Sequence, residues 1–228
     1  MKFNKIFSGS SGNLYTLELT KHKSILIDPG VPYSKLIKHV DLNKVMFCLL
    51  SHSHSDHSKA IPELLNKGLA CIMHEVTAKE LGVATSPFAF QLPHSMLFNY
   101  FRGIYLNAVE TKHDVKNMWF EIQYNNKILT YITDTPYIDT SKFTKYPDIL
   151  AIECNYSIQD LNYTQDTEYL KRVISSHMSL TSCIGAIKKL GVFEPHKQIH
   201  LLHLSDNNSD AKKFIAEIRK HTSAQIYI

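Results

Sequence analysis

Apolar and polar residues alternate through the opening of the chain, in Lys2-Phe3-Asn4-Lys5-Ile6-Phe7, in Leu14-Tyr15-Thr16-Leu17-Glu18-Leu19 and in Ser24-Ile25-Leu26-Ile27-Asp28. A period of two turns one face of each segment to a core and the other to water, which predicts three strands joined by short turns. From Pro32 to Val40 the apolar residues fall at helical spacing instead, and Val45 to Leu50 reads as a short, wholly apolar strand. Ala60 to Leu69 then reads as helix, Ala70 to Met73 as strand, and Thr77-x-x-Glu80 resembles a capping box opening another helix. Strands return at Ile104 to Val109, Trp119 to Tyr124, Ile128 to Ile132 and Ile149 to Glu153, with Asn125-Asn126 as a hairpin turn. The last third predicts helices over 167–175 and 180–190, the second closed by Gly191, a strand over 199–204, a helix over 210–221 and a strand over 225–228.

No repeat, low-complexity tract or Pro/Gly linker divides these elements, so a single domain over 1–228 is expected. Two successive β-then-α halves suggest an α/β sandwich of two sheets with helices on both outer faces. With 228 residues and 44% apolar content the chain can build a substantial core. Cys48, Cys71, Cys154 and Cys183 lie inside apolar segments without paired spacing, which fits reduced, buried thiols. The N-terminal stretch lacks an apolar run of signal-peptide length and no later run approaches a membrane span, so a cytoplasmic protein is expected, bacterial or, if phage-encoded, in the host. The formal charge is +4, and its lysines are dispersed singly or in pairs, with no basic run of the kind that tracks a duplex.

The chemistry concentrates in Ser51-His52-Ser53-His54-Ser55-Asp56-His57-Ser58. Three imidazoles and a carboxylate in six positions, delivered by an apolar strand, read as ligands for two cations, one taking His52 and His54, the other Asp56 and His57. That donor set suits a borderline divalent ion, zinc first, with manganese or iron also compatible. Further donors stand at later strand ends: His113, Asp134 and His203.

Together these motifs identify a likeness to the metallo-β-lactamase-fold hydrolases, four-layer αββα sandwiches of two mixed sheets that hold two metals. The likeness implies that His52, His54 and His113 bind the first ion, that Asp56, His57 and His203 bind the second, and that Asp134 bridges them. Phe7-Ser8-Gly9-Ser10-Ser11-Gly12-Asn13, Ile25-Leu26-Ile27-Asp28-Pro29-Gly30, Glu153-Cys154-Asn155, Ser176-His177-Met178-Ser179 and His203-Leu204-Ser205-Asp206-Asn207-Asn208 resemble more closely the WalJ/YycJ-like branch, related to RNase Z and similar to the phage anti-Pycsar proteins. Those groups are phosphodiesterases acting on DNA ends or on cyclic nucleotides. The branch usually reads Glu-Ser-Asn-His where this chain has Glu153-Cys154-Asn155-Tyr156, so a polar role at Tyr156 is in question.

The likeness to RNase Z puts His177 over the scissile phosphate as a proton donor, with Glu153 holding its ring and Asp56 counted among the catalytic groups; a helix cap or surface histidine is the ordinary alternative. Ser10, Ser11 and Asn13 either meet a phosphate or simply make a hairpin. Ser205 and Asn207 are candidate substrate contacts, although Asp206 or Asn207 capping the following helix is the favoured reading. The aromatic stretch Pro87-Phe88-Ala89-Phe90 with Phe98, Tyr100 and Phe101 reads as a flap, a contact in a homodimer, or edge packing. The expected activity is a dinuclear phosphodiesterase on nucleotides, leaning to small or cyclic ones because no basic run is present; the alternative is a nuclease on DNA or RNA ends.

Overall fold

The computed structural model describes residues 1–101, 103–161, 166–205 and 209–228, and within them two compact units, one comprising 1–96 with 115–118 and the other 97–114 with 119–228. In the first unit the alternating opening segments become β1 (Lys2–Phe7), β2 (Leu14–Thr20) and β3 (Lys23–Ile27), paired antiparallel with Phe3 opposite Leu17 and Leu17 opposite Ile25. The sheet then changes direction. After α1 (Tyr33–Leu36), strand β4 (Val45–Leu49) runs parallel to β3. Two short helices, α2 (Ser55–Ser58) and α3 (Ile61–Asn66), lead to β5 (Cys71–His74), and α4 (Glu75–Glu80) leads to β6 (Ala89–Leu92). The sheet order is β1-β2-β3-β4-β5-β6. Leu26, Leu36, Cys48, Ile61, Leu64 and Met73, from strands and helices alike, form one buried cluster. Each fully buried aliphatic chain of this kind contributes roughly 1.5–3 kcal/mol.

Two local expectations change. The helix expected over 32–40 closes at Leu36, whose carbonyl takes the N–H groups of both His39 and Val40 in a terminating turn. Thr77 does not open a capping box. The helix has already begun at Glu75, directly after β5, and His74 caps it by accepting the Val76 N–H on Nδ1 at 3.0 Å.

The second unit holds β7 (Met96–Phe101), β8 (Ile104–Thr111), β9 (Asn117–Tyr124), β10 (Lys127–Ile132), β11 (Ile149–Glu153), β12 (Gln198–Leu202) and β13 (Gln225–Tyr227), in the order β13-β12-β11-β10-β9-β8-β7. Strand β10 pairs antiparallel with β9 across the Asn125-Asn126 turn, where both residues are left-handed (φ 47° and 61°) as a tight hairpin requires. Strands β10 to β13 are parallel, linked by α5 (Thr167–Ser176), α6 (Leu180–Lys189) and α7 (Ala211–Arg219). Trp119, Leu150, Ile152, Ile187 and Phe214 anchor the buried cluster between sheet and helices, with Trp119 stacked on Phe143 at 4.3 Å. Gly191 ends α6 at φ 59°, as the sequence suggests. The two mixed sheets with helices are those expected. The aromatic stretch between them supplies two strands that periodicity did not reveal, β6 and β7, each at the edge of its sheet.

Candidate metal centre

In parallel strands the carboxyl ends lie along one rim of the sheet, and side chains that follow them gather there. In the first unit β3 and β4 end together: the Asp28 N–H donates to the Leu49 carbonyl at 3.0 Å, and Asp28 itself is left-handed (φ 45°) and fully buried. Its carboxylate accepts the Ser51 N–H at 2.8 Å, the Ser51 hydroxyl at 2.6 Å and Nδ1 of His57 at 2.8 Å. A carboxylate only accepts, so Nδ1 of His57 carries the proton and Nε2 keeps its lone pair. Ser51 also lies 2.9 Å from Nδ1 of His52. The His52 ring sits 4.7 Å from that of His54 and 4.2 Å from that of His57, centroid to centroid, and Asp56 Oδ2 lies 3.6 Å from Nε2 of His57. Helix α2 is a single turn that brings Asp56 and His57 back toward His52.

Glycine makes this turn feasible. A Cβ on Gly30 would stand 1.6 Å from the Asp56 carbonyl oxygen, so the β3 loop and the histidine loop touch backbone to backbone. Asn13 completes the contact from the Ser/Gly turn: its N–H donates to the Asp56 carbonyl at 2.7 Å, and its own carbonyl accepts the Gly30 N–H at 2.7 Å.

In the second unit the rim collects Asp134 after β10, Glu153 at the end of β11 and His203 after β12. Asp134 and His203 are left-handed, at φ 48° and 51°. The α5–α6 junction adds His177, held there because Met178 accepts the Asn155 N–H at 2.9 Å and the Leu180 N–H donates to Tyr156 at 2.8 Å. Asp134, Glu153, His177 and His203 each offer a ligand atom, and these atoms all lie within 4.8 Å of one another. Glu153 is fully buried. One of its oxygens takes Nδ1 of His177 at 2.6 Å, and the other takes the N–H groups of Thr135 and Met178 at 3.2 and 3.0 Å. Burial of the His177 ring works against its charge, but the adjoining Glu153 carboxylate and the more distant Asp134 outweigh that and raise its pKa to about 9. The ring stacks on His203 at 5.3 Å and keeps 15% of its side chain accessible.

His113 follows β8, and its Nδ1 lies 3.2 Å from the Ser176 carbonyl, which can only accept. In the neutral ring Nε2 therefore carries a lone pair, and it faces Asp114 at 3.0 Å and Asp134 at 3.9 Å. Electron-pair donors turned on one another need a proton or a cation between them, and imidazoles with carboxylates are the donor set of a borderline divalent ion. The residues in each unit fit such ions.

The other predicted residues are placed as follows. Ser10 and Ser11 are exposed at the tip of their turn, and Ser205 is half-buried, its N–H donated to the Asn155 carbonyl at 3.0 Å. Asn207 lies outside the described residues. Asn13 is fully buried, with its side-chain amide on Asp56 and His57. Tyr156 is buried beside Leu161, Leu170 and Val173, an apolar setting. Two supports carry no role in the sequence reading: Asp28, which holds His57, and Asn155, whose amide donates to the His203 carbonyl at 2.8 Å and lies 3.1 Å from Nδ1 of that ring. An acid placed directly after an apolar strand, as in Ile27-Asp28-Pro29-Gly30, was the available signal for the first; nothing comparable marks Asn155.

A family model described as the metallo-beta-lactamase superfamily matches residues 8–113. Exodeoxyribonuclease WalJ of Streptococcus pneumoniae is 28% identical over 232 residues, covering 91% of this chain and 83% of that protein. Exodeoxyribonuclease YycJ of Bacillus anthracis is 29% identical over 226 residues, covering 91% of this chain and 84% of its own. Among solved structures, the metallo-beta-lactamase fold protein YhfI from Bacillus subtilis superposes with a TM-score of 0.78 at 20% identity, over 99% of this chain and 94% of that one.

Proposed function

We propose that the chain, which is similar over residues 8–113 to the metallo-beta-lactamase superfamily, is a metal-dependent phosphodiesterase acting on nucleotides. The observation that carries this reading is the Glu153–His177 pair, 2.6 Å apart and set among the donors of Asp134 and His203. A simple ester or amide hydrolase needs the cations and a water. A phosphodiester with an unactivated alkoxide leaving group also needs a proton delivered to the departing oxygen.

In this reading His52, His54, Asp56, His57, His113, Asp134 and His203 hold two divalent cations, zinc or manganese by the chemistry of the donors. When bound, the cations supply a water activated near neutral pH and positive charge against the phosphoryl oxygens. The protein's own groups do the rest. Asp28 fixes the His57 tautomer, Asn155 holds the His203 loop, and Glu153 keeps Nδ1 of His177 engaged, which leaves Nε2 as the nitrogen with a proton to give.

The relatives named as exodeoxyribonucleases span 91% of the chain, and they favour a DNA strand end as substrate. The dispersed lysines favour the second reading, a small or cyclic nucleotide. A parallel panel of cyclic mononucleotides, cyclic dinucleotides and single- and double-stranded DNA and RNA separates them, and turnover of none would sink both. Within the active class, His177→Ala is expected to lower turnover of an alkoxide-leaving substrate by ~10²–10⁴-fold. Bis-p-nitrophenyl phosphate, whose leaving group needs no proton, should lose far less. Equal losses on both would remove His177 from the role of acid.

A further inference from the structure

We propose that the Tyr137 ring and the Lys112 ammonium form a nucleotide subsite beside the candidate metal centre, the ring stacking on a base and the ammonium holding the phosphate next to it. The subsite rests on the phosphodiesterase reading above and assigns two residues that reading leaves without a role.

The chain order places both residues. Lys112 directly follows β8 and precedes His113, and Tyr137 follows Asp134 by three residues in Asp134-Thr135-Pro136-Tyr137-Ile138. At ~3.8 Å per residue, Tyr137 cannot stand more than ~11 Å from Asp134, Cα to Cα. Hydroxyls tie the two loops together. The Thr135 hydroxyl donates to the Tyr137 carbonyl at 2.8 Å, so its oxygen accepts from the Thr111 hydroxyl, also at 2.8 Å. The Thr135 N–H donates to Glu153, the carboxylate that holds His177. Lys112 and Tyr137 are thus built into the loops that carry His113, Asp134 and the support of the Glu153–His177 pair, all within the second unit.

The tyrosine is presented to solvent on a fixed backbone. Pro136 before it locks its own φ, and Ile138 after it packs against the buried cluster of the second unit. The ring between them is 57% exposed. Such a ring has only two side-chain torsions to order when it meets a ligand. The Lys112 ammonium stands over its face, 5.9 Å from the centroid, at the outer limit of a cation–π contact. On its flexible four-carbon stem it can leave the face to a base and turn to a phosphate. The nearby Asp139 carboxylate is engaged in its own turn, accepting the Ser141 N–H at 3.1 Å and the Ser141 hydroxyl at 2.6 Å.

An aromatic face with a cation beside it is the elementary pattern of single-strand recognition, because every base has a π-face and every linkage carries a charge. The reacting phosphate belongs to the candidate metal centre. Lys112 therefore suits a second phosphate, which a strand or a dinucleotide has and a cyclic mononucleotide lacks.

The test is binding of a short fluorescein-labelled oligothymidylate to the full-length protein, read by anisotropy in EDTA so that no strand is cut, with an abasic oligomer of equal length as control. Wild type is expected to prefer the base-bearing strand. Tyr137→Ala should weaken oligothymidylate by about five- to a hundredfold, the equivalent of one stacked base, and leave the abasic strand unaffected. Tyr137→Phe should keep the wild-type preference, since the ring and not the hydroxyl stacks. Lys112→Ala should weaken both strands and make the slope of log affinity against log salt shallower by about 0.7, the share of one phosphate contact. No binding by wild type, no greater loss on oligothymidylate than on the abasic strand in Tyr137→Ala, or an unchanged salt slope in Lys112→Ala would overturn the subsite. The phosphodiesterase reading fails separately, if nothing is turned over with Mn²⁺ although the strand still binds through Tyr137 and Lys112.

Discussion

Three side chains of the candidate centre, on Asp28, Asp134 and His203, leave their strands through left-handed backbone, a conformation that costs a non-glycine residue ~1–2 kcal/mol. Each is over-determined by its neighbours, Asp28 by Ser51 and His57, His203 by Asn155, and Asp134 by the Thr133 hydroxyl, which donates to it at 2.6 Å. The resulting fixity extends to His177, and there it has a measurable consequence. In the metal-free protein the folded state favours the charged ring, with its pKa raised to about 9. A raised folded-state pKa adds stability that is fully present below the ordinary histidine value of ~6.5 and is lost as pH climbs through ~9. Glu153→Gln should bring the ring back toward or below ~6.5 in an NMR titration and flatten the fall in stability between pH 7 and 9. An unchanged titration would show that another group holds the charge. Histidine and aspartate at strand ends were legible in the sequence because their chemistry is rare in so short a span. The amides of Asn13 and Asn155 were not, because an asparagine in a turn looks the same whether it supports a ligand or only the turn.

At the scale of elements, the sequence was legible wherever burial imposed a period. Strands β1 to β4 and β8 to β12, and helices α5 to α7, lie within a few residues of expectation. Strands β6 and β7 escaped because edge strands need not alternate, and Phe88, Phe90, Met96 and Leu97 on or beside them are 40–61% exposed although apolar. The capping role of His74 escaped because a histidine is an uncommon N-cap. Loop packing against loop is equally invisible to periodicity, and Gly30 is where it matters. Gly30→Ala forces a methyl into the Asp56 carbonyl, so the histidine turn must move away from β3. The expected cost is at the upper end of the ~1–3 kcal/mol typical of overpacking, read as a lower urea midpoint, together with loss of one bound Mn²⁺. A variant with wild-type midpoint and stoichiometry would mean that the loops yield freely.

Across the whole molecule, the two units differ in sheet pattern and each carries its own group of histidine and acidic side chains, and no helix among the described residues is long and apolar enough to cross a membrane. The cysteines, scattered in sequence, are paired in space. Cys48 and Cys71 face each other in the register of β4 and β5, and the free thiol of Cys154 in the second unit is hydrogen-bonded with that of Cys183. All four are fully buried, and burial pushes the Cys48 and Cys154 thiols up, so neither yields a ready thiolate. The pairs consequently form a native clock for opening. A maleimide or aromatic disulfide reagent should find nothing to modify in the folded protein, then react in two steps of two thiols each as the units open under rising urea. Mass spectrometry of the labelled peptides would assign each rate to its own unit without a probe having been engineered into either.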